Sequence, residues 1–392
     1  MTLNLEESSW TRVSLGDVAA ASKEKVDPSD GSVERYIGGE HMDTDDLKIH
    51  RWGDIGTVDL GPAFHRRFRP GQVLYGSRRT YLRKVAVADF DGVCANTTFV
   101  VGTRDERTLL QEFLPFIMTS EPFHAFAIAE SKGSVNPYVN WSDIERYEFD
   151  LPPVPEQGRI ADLLWAIERH RLNLRGSRSA AARLLETDRA TMFEVESDLV
   201  HCREAFEITI GRQRSPKHQF GDHIVNYLRS ANVTSHGIDV RDVKTMNFEP
   251  AAQTRFQLRH SDVLVSEASA SFSAVGMPAV WDSVLPGVTC FQNTLLRYRA
   301  IPGVTLPGFV EQYCRWAFET GAFLEVSSGT NIRHIGVGGA ESMSVRLPTL
   351  REQEAFLART ASLDSALDAL DAEEGAIDEA RASAVAEVFG GN

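Results

Sequence analysis

Leu151-Pro152-Pro153-Val154-Pro155-Glu156-Gln157 is echoed far along the chain by Leu347-Pro348-Thr349-Leu350-Arg351-Glu352-Gln353, and a long amphipathic helical pattern follows each copy. Further matches arrive in the same order at nearly constant separation. Leu15-Gly16-Asp17 pairs with Phe220-Gly221-Asp222, Tyr36-Ile37 with Tyr227-Leu228, and Val73-Leu74 with Val263-Leu264. Asn96-Thr97 then pairs with Asn293-Thr294, and Gly133 with Gly329. The chain is therefore a tandem duplication of one globular module followed by one helix, with a period of roughly 190 residues. Two diverged copies of one binding module imply a target in two parts.

Composition sets the outer limits. At 392 residues the chain exceeds one ordinary core, and the repeat makes two the number of modules. The content of 42% hydrophobic and 24% charged residues is that of a soluble globular protein, with no apolar run long enough for a bilayer. Residues 1–10 combine neither a basic flank nor an apolar stretch, so a cytoplasmic location is expected. Cys94, Cys202, Cys290 and Cys314 lack paired metal-ligand spacing and are read as reduced thiols; the eleven His show no metal cluster either. A net charge of −14 argues at face value against a polyanionic partner. Its distribution weakens that objection, because the segment from Leu347 onward carries 3 basic against 10 acidic residues while 200–346 carries 14 against 13.

Within each module the pattern is mixed α+β. Short candidate strands at 72–75, 84–88 and 98–101 precede candidate helices at 109–120 and 122–130. The second copy repeats the plan, with strands at 262–266 and 294–299 and a helix at 309–320. The two long helices are clearer still. Pro155 suits a first helical position, and Thr349 with Glu352 forms a capping box. Ile160, Ile167, Leu174 and Ala181 fall seven apart, flanked by Leu164, Leu185 and Met192; Phe356, Leu363, Leu370, Ile377 and Ala384 do the same. Such sustained heptads predict a coiled-coil seam. The alternative is two helices packed on their own modules. Gly176 and Gly375 interrupt the pattern, either for close backbone approach or as breaks. A helix of about 40 residues is roughly 60 Å long, so an antiparallel pair would hold the modules at opposite ends, giving a pseudo-two-fold molecule.

The run Phe68-Arg69-Pro70-Gly71-Gln72-Val73-Leu74-Tyr75-Gly76-Ser77-Arg78-Arg79-Thr80-Tyr81-Leu82-Arg83-Lys84, then Cys94-Ala95-Asn96-Thr97-Thr98, Gly133-Ser134 and the 151–157 motif, resembles the DNA-specificity subunits of type I restriction-modification systems. The resemblance covers nearly the whole chain. It implies target recognition domains at 1–153 and 200–346, and spacer helices at 154–199 and 347–392 forming an antiparallel coiled coil. It further implies double-stranded DNA as ligand and two methyltransferase subunits as partners, with a restriction/translocase subunit as an optional third. S-adenosylmethionine, and ATP with Mg where restriction occurs, would be bound by those partners, and no cofactor is expected in this chain.

The residues themselves suggest where DNA would be met. Arg66, Arg67, Arg69, Arg78, Arg79, Arg83 and Lys84, with Ser77 and Tyr81 among them, form a basic and aromatic group suited to phosphates and guanine edges. A solvated strand-and-loop surface is the plainer reading. Lys132, Ser134 and Asn136 lie in a Gly-containing loop before Pro137. In the second copy, Glu267, Ser269 and Ser271 stand at or beside the positions of Gly76 to Thr80, and the loop after Gly329 supplies Asn331, Arg333 and His334. Asn331 suits adenine, Arg333 guanine, and Glu267 either a cytosine amino group or a neighbouring Arg. Arg212, Arg214 and Lys217, with His218, precede that module as phosphate contacts or as an exposed linker.

Chemistry of the chain's own is not indicated. Asn136-Pro137-Tyr138 lacks the second Pro of an adenine-methyltransferase loop, and there is no Gly-x4-Gly-Lys-Ser/Thr phosphate loop. Gly336-Val337-Gly338-Gly339 has no clear strand before it and helix after it, as a dinucleotide site requires. The expectation is a non-catalytic reader. Its rival is a coiled-coil scaffold whose modules bind protein, consistent with the acidic net charge.

Overall fold

A computed structural model of the chain describes residues 5–58, 60–195, 197–269, 274–329 and 333–390. Contacts divide the chain into two units, Met1–Gly176 with Asp371–Asn392, and Ser177–Leu370. Both long helices are thus cut within their length, where the sequence-based division places boundaries at their ends.

In the first unit an antiparallel sheet runs in the order Ala19–Ala21, Thr98–Thr103, Val73–Gly76, Val85–Val87. A second sheet runs Gly53–Asp54, Arg35–Ile37, Gly92–Ala95, Phe64–Phe68, and its central pair is parallel. The second unit repeats both. Its first sheet is Phe206–Ile210, Leu295–Ala300, Asp262–Ser266, Pro278–Trp281, and its second is Lys244–Asn247, Ile224–Leu228, Thr289–Phe291, again with one parallel pair. A parallel pair between short strands needs a long crossover, so its recurrence with Tyr36 opposite Val93 and Tyr227 opposite Cys290 is strong support for duplication. In each copy a two-stranded ladder, Thr11–Ser14 with Glu148–Leu151 and Leu199–His201 with Ser344–Arg346, closes the module just before its long helix.

One sequence match is corrected. The counterpart of the helical turn Leu15–Val18, capped by Asp17 on Ser14, is Cys202–Ala205, capped by Glu204 on His201. Phe220-Gly221-Asp222 lies later, beside the strand Ile224–Leu228. The predicted helix over 109–120 shortens to Leu114–Met118, followed by Glu121–Ala129; the second copy has Pro307–Glu319 and Ala322–Glu325. Gly336 precedes a helix of six residues, Val337–Ser342, so the glycine run opens a single short turn of structure.

The long helices span Val154–Phe193 and Leu350–Phe389. Their repeated Gln explains the opening motif. Gln157 is fully buried, accepts from the Leu110 amide at 2.9 Å and donates to the Thr108 and Pro152 carbonyls at 2.8 Å each. Gln353 makes the same three bonds, from Leu306 N at 2.9 Å and to Val304 O and Pro348 O at 3.0 Å. One amide side chain in each copy therefore pins helix to module. Thr349 and Glu352 form the expected capping box.

The helices pair antiparallel inside each unit. Arg171 meets Asp378 and Arg175 meets Glu374 in the first, while Arg359 meets Asp188 and Phe193 packs on Phe356 in the second. They also pack on their modules, so the two alternatives left open by the sequence are both realised. Ile160, Leu164 and Ile167 share one core with Ala384, Val385, Val388, Phe389 and Phe113; Met192, Phe193 and Phe356 share another with Phe309 and Tyr313. Leu174 and Leu185 are buried. Leu363, Leu370 and Ile377 are only half-buried, and Glu168, Arg171 and Arg189 are buried beside the seam. Gly176 and Gly375 lie in unbroken helix, and a Cβ at either would meet nothing within 4 Å among the described residues, so neither marks a close approach or a break.

Candidate nucleic-acid interface

Two loops that are distant in sequence are joined in the first module. The turn after strand Gly92–Ala95 holds Ser77, whose amide and hydroxyl both donate to the Thr97 carbonyl at 2.9 and 2.7 Å. Arg78 then bridges Tyr138, and Tyr138 exchanges two backbone bonds with Lys132 at 2.7 and 2.9 Å. Arg79 donates its amide to Pro137 O at 2.6 Å and its Nε to Asn136 Oδ1 at 2.9 Å. Gly133 supplies the left-handed turn of the second loop at φ 92°. This lattice presents Arg78, Arg79, Tyr81, Ser134, Asn136 and Tyr138 at the surface, with Val135 84% exposed. Arg78 has no side-chain partner among the described residues.

The second module builds the same backbone frame. Glu267 N donates to Thr294 O at 2.9 Å, Ala268 pairs with His334, His334 exchanges bonds with Ser328 at 2.9 and 3.0 Å, and Gly329 turns at φ 109°. Only the side chains change: Glu267 replaces Ser77, and His334 replaces Tyr138. Glu267 is buried and accepts from His334 Nδ1 at 3.2 Å, so the neighbour it holds is a His and not an Arg. Burial pushes its carboxyl up, against the opposing effect of His334. Arg333 is held by Ser327 O and Oγ at 3.3 Å. Ser269 pairs through its backbone with Arg333. Ser271 and Asn331 lie outside the described residues.

Other predicted residues are spent on their own module. Arg67 forms a fork with Asp91 at 3.1 and 2.8 Å, and Arg69 forms one with Glu24 at 3.2 and 2.7 Å. Arg66 donates to Thr98 O and lies over the Phe99 ring. Arg83 pairs with Glu121, and Lys84 donates to Gly39 O. Lys132 binds both oxygens of Asp143, which holds that carboxyl below its ordinary range with help from Asn140. Arg212 is fixed by Asn247 O and His218. Lys217 is exposed. The structure thus gathers Ser77 to Tyr81 with residues 132–138, leaves Arg67 and Arg69 in a separate ionic network with Glu24 and Asp91, and holds Arg66 on Thr98 and Phe99.

Sequence reading missed a basic cleft of about 770 Å³ in the second module. Arg214, Gln219, Arg229, Lys244, Gln292 and Thr294 are among its lining residues, together with Asp242, which pairs with both Arg229 and Lys244 and leaves the cleft a net basic lining. Thr294 also carries the Glu267 amide, so the cleft adjoins the Glu267–His334 frame. Phe220, 82% exposed, follows Gln219 at the cleft. These residues stand singly on separate strands and turns, and only the sheet order brings them together.

Residues 7–180 match the sequence profile of the type I restriction modification DNA specificity domain. The first module and the start of its long helix are thus similar to the DNA-specificity domain of type I restriction-modification systems. The type I restriction enzyme EcoDI specificity subunit of Escherichia coli is 25% identical over 153 residues, which are 39% of this chain and 33% of that protein's length. Two solved folds resemble it along nearly its whole length. One is a chain of a type I R-M system, described for complex assembly and conformational transition, at TM-score 0.60, 18% identity and 97% coverage of both chains. The other is the S subunit of a type I system from M. genitalium, at TM-score 0.59, 14% identity and 99% coverage of both. The profile ends before the second module begins, but the repeated frame carries the same fold into that module.

Proposed function

We propose that this protein is the DNA-recognition subunit of a type I restriction-modification complex, with no catalysis of its own. Each module reads one half of an asymmetric, interrupted site. The observation that carries this reading is the shared frame: equivalent backbone bonds join three loops in both modules, yet carry Arg78, Arg79, Asn136 and Tyr138 in one, and Arg333 and His334 with the buried Glu267 in the other. A constant scaffold with different side chains is what two different half-sites require. Arg78, Arg79, Tyr81, Ser134 and Asn136 are assigned to the first half-site. Arg214, Lys217 and the cleft lined by Arg229, Lys244 and Gln292 are assigned, with Arg333 and His334, to the second.

The partners in this reading are two methyltransferase subunits that use S-adenosylmethionine to modify adenine N6, joined in some complexes by an ATP-dependent restriction subunit. The paired helices set the length of the unspecified spacer. The deciding experiment is the adenine methylome of the source cells with the gene intact and deleted. Loss of a single bipartite motif is the expected result; an unchanged methylome would refute it and favour a protein-binding scaffold. Arg78→Ala with Arg79→Ala is expected to relax one half-site only and to lower the salt slope of DNA binding by about 1 for each phosphate no longer neutralised.

A further inference from the structure

We infer that a chain of four charges, Arg381–Glu168–Arg171–Asp378, selects the register in which the two long helices pair within the first unit. Glu168 is 4% and Arg171 6% exposed. One oxygen of Glu168 accepts from Arg171 Nη1 at 2.7 Å and the other from Arg381 Nε, while Arg171 Nε donates to Asp378 at 2.6 Å. Charges alternate along the chain, and the links cross between helices twice. One turn further, Arg175 binds Glu374 and also Asp46 of the module, both at 2.8 Å.

The apolar seam alone is a poor selector of alignment. Phe356, Leu363, Leu370, Ile377 and Ala384 recur every seven residues, as do Ile160, Ile167 and Leu174, so a slip of one heptad again lays apolar positions on apolar positions. The charges do not tolerate it. A slip one way sets Glu374 against Glu168 and Leu367 against Arg175, leaving only Arg171 facing an acid, Asp371. The opposite slip sets Arg381 against Arg175, with Val388 and Val385 against Glu168 and Arg171. Either alignment takes from Glu168 its partner on the second helix and leaves it only Arg171 on its own helix, so the buried charges are no longer balanced across the pair, a costly condition for buried ions. Register specification is also the best-attested use of polar groups at such seams. Glu168, Arg171, Asp378 and Arg381 are therefore positioning residues. Resting on the proposed function, they fix the spacer between half-sites by fixing the pairing of the ruler.

The test uses the full chain, spin-labelled at the exposed positions Asn173→Cys and Glu379→Cys; the four native thiols are buried and stay unlabelled. Wild-type residues at the network should give one distance. Glu168→Leu, Arg171→Met, Asp378→Ala and Arg381→Met together should keep the helical content but split the distribution, with a second population displaced by about 10 Å, the length of seven helical residues. A single unchanged distance overturns the inference and assigns the register to the apolar ends, where Phe389 packs on Phe113. Arg381→Glu alone should lose the native distance, and Arg381→Lys should keep it. If the distances split while methylated sites retain one spacer length, the register inference stands and the ruler reading falls.

Discussion

Gln157→Ala should release the start of the first long helix from its module, and Gln353→Ala should do the same in the second copy. Removing either side chain orphans one half-buried amide, Leu110 N or Leu306 N, and two carbonyls, of which Pro152 O or Pro348 O is buried. At about 1–3 kcal/mol for each buried group left without a partner, and with water re-entering part of the space, the local cost is about 3 kcal/mol. That is close to 100-fold in an opening equilibrium, since about 1.4 kcal/mol is tenfold. Hydrogen exchange read at single amides is the assay. Leu110 should exchange about 100-fold faster in Gln157→Ala with Leu306 unchanged, and the reverse should hold for Gln353→Ala. Gln157→Glu is a further control, because it retains an acceptor for Leu110 N yet turns a carboxylate toward two carbonyls; it should be no milder than Ala at neutral pH. Unchanged protection at Leu110 in Gln157→Ala would refute the account of the repeated motif as a structural pin.

Two further predictions concern buried titratable groups. His124 is 1% exposed, neither ring nitrogen has a hydrogen-bond partner among the described residues, the Asp45 carboxylate stands 3.9 Å from Nε2, and burial together with nearby Arg83 depresses the ring from 6.5 to about 4. The folded protein prefers the neutral ring, so this stability is complete above pH 6.5 and is lost as pH falls toward 4, by on the order of 3 kcal/mol. His124→Phe should flatten the acid limb of a denaturation-versus-pH curve in that window, and an unaltered limb would place the acid sensitivity elsewhere. Burial pushes the Cys94, Cys202 and Cys290 thiols up to about 12 and Cys314 well above its ordinary value. No thiol should react with a charged disulfide reagent in the native protein at neutral pH, and all four should react in denaturant.

The duplication was legible because its markers do structural work that cannot vary freely. Tyr36 and Tyr227 stand in equivalent parallel pairs, Thr97 and Thr294 offer the same carbonyl to a neighbouring loop, and Gln157 and Gln353 each satisfy three backbone groups. Leu15-Gly16-Asp17 was misaligned because its true counterpart, Cys202-Arg203-Glu204, preserves a capping carboxylate and a buried first residue but not the letters. The heptads gave both helices and an apolar seam but not the buried charges beside it. Arg171 and Glu168 read as surface residues by type, and only the charges facing them across the pair allow burial. The candidate interface was half legible. Arg78 and Asn136 were visible as separate basic and polar loops, whereas Arg229, Lys244 and Gln292 carry no local pattern and converge only through strand order.

Residues 384–389 complete the core that also contains Phe113, Ile160 and Leu164. On a translating ribosome, the 177–370 unit is a contiguous stretch and can close as soon as it has emerged, but the earlier-made unit must wait for a helix synthesised more than two hundred residues later. During that interval the apolar side of Ile160, Leu164 and Phe113 lacks its cover, and its closure carries the entropy of a very long loop. The order of synthesis and the order of completion are therefore reversed. The first half of the chain is the part most exposed to aggregation and to chaperones while the protein is being made.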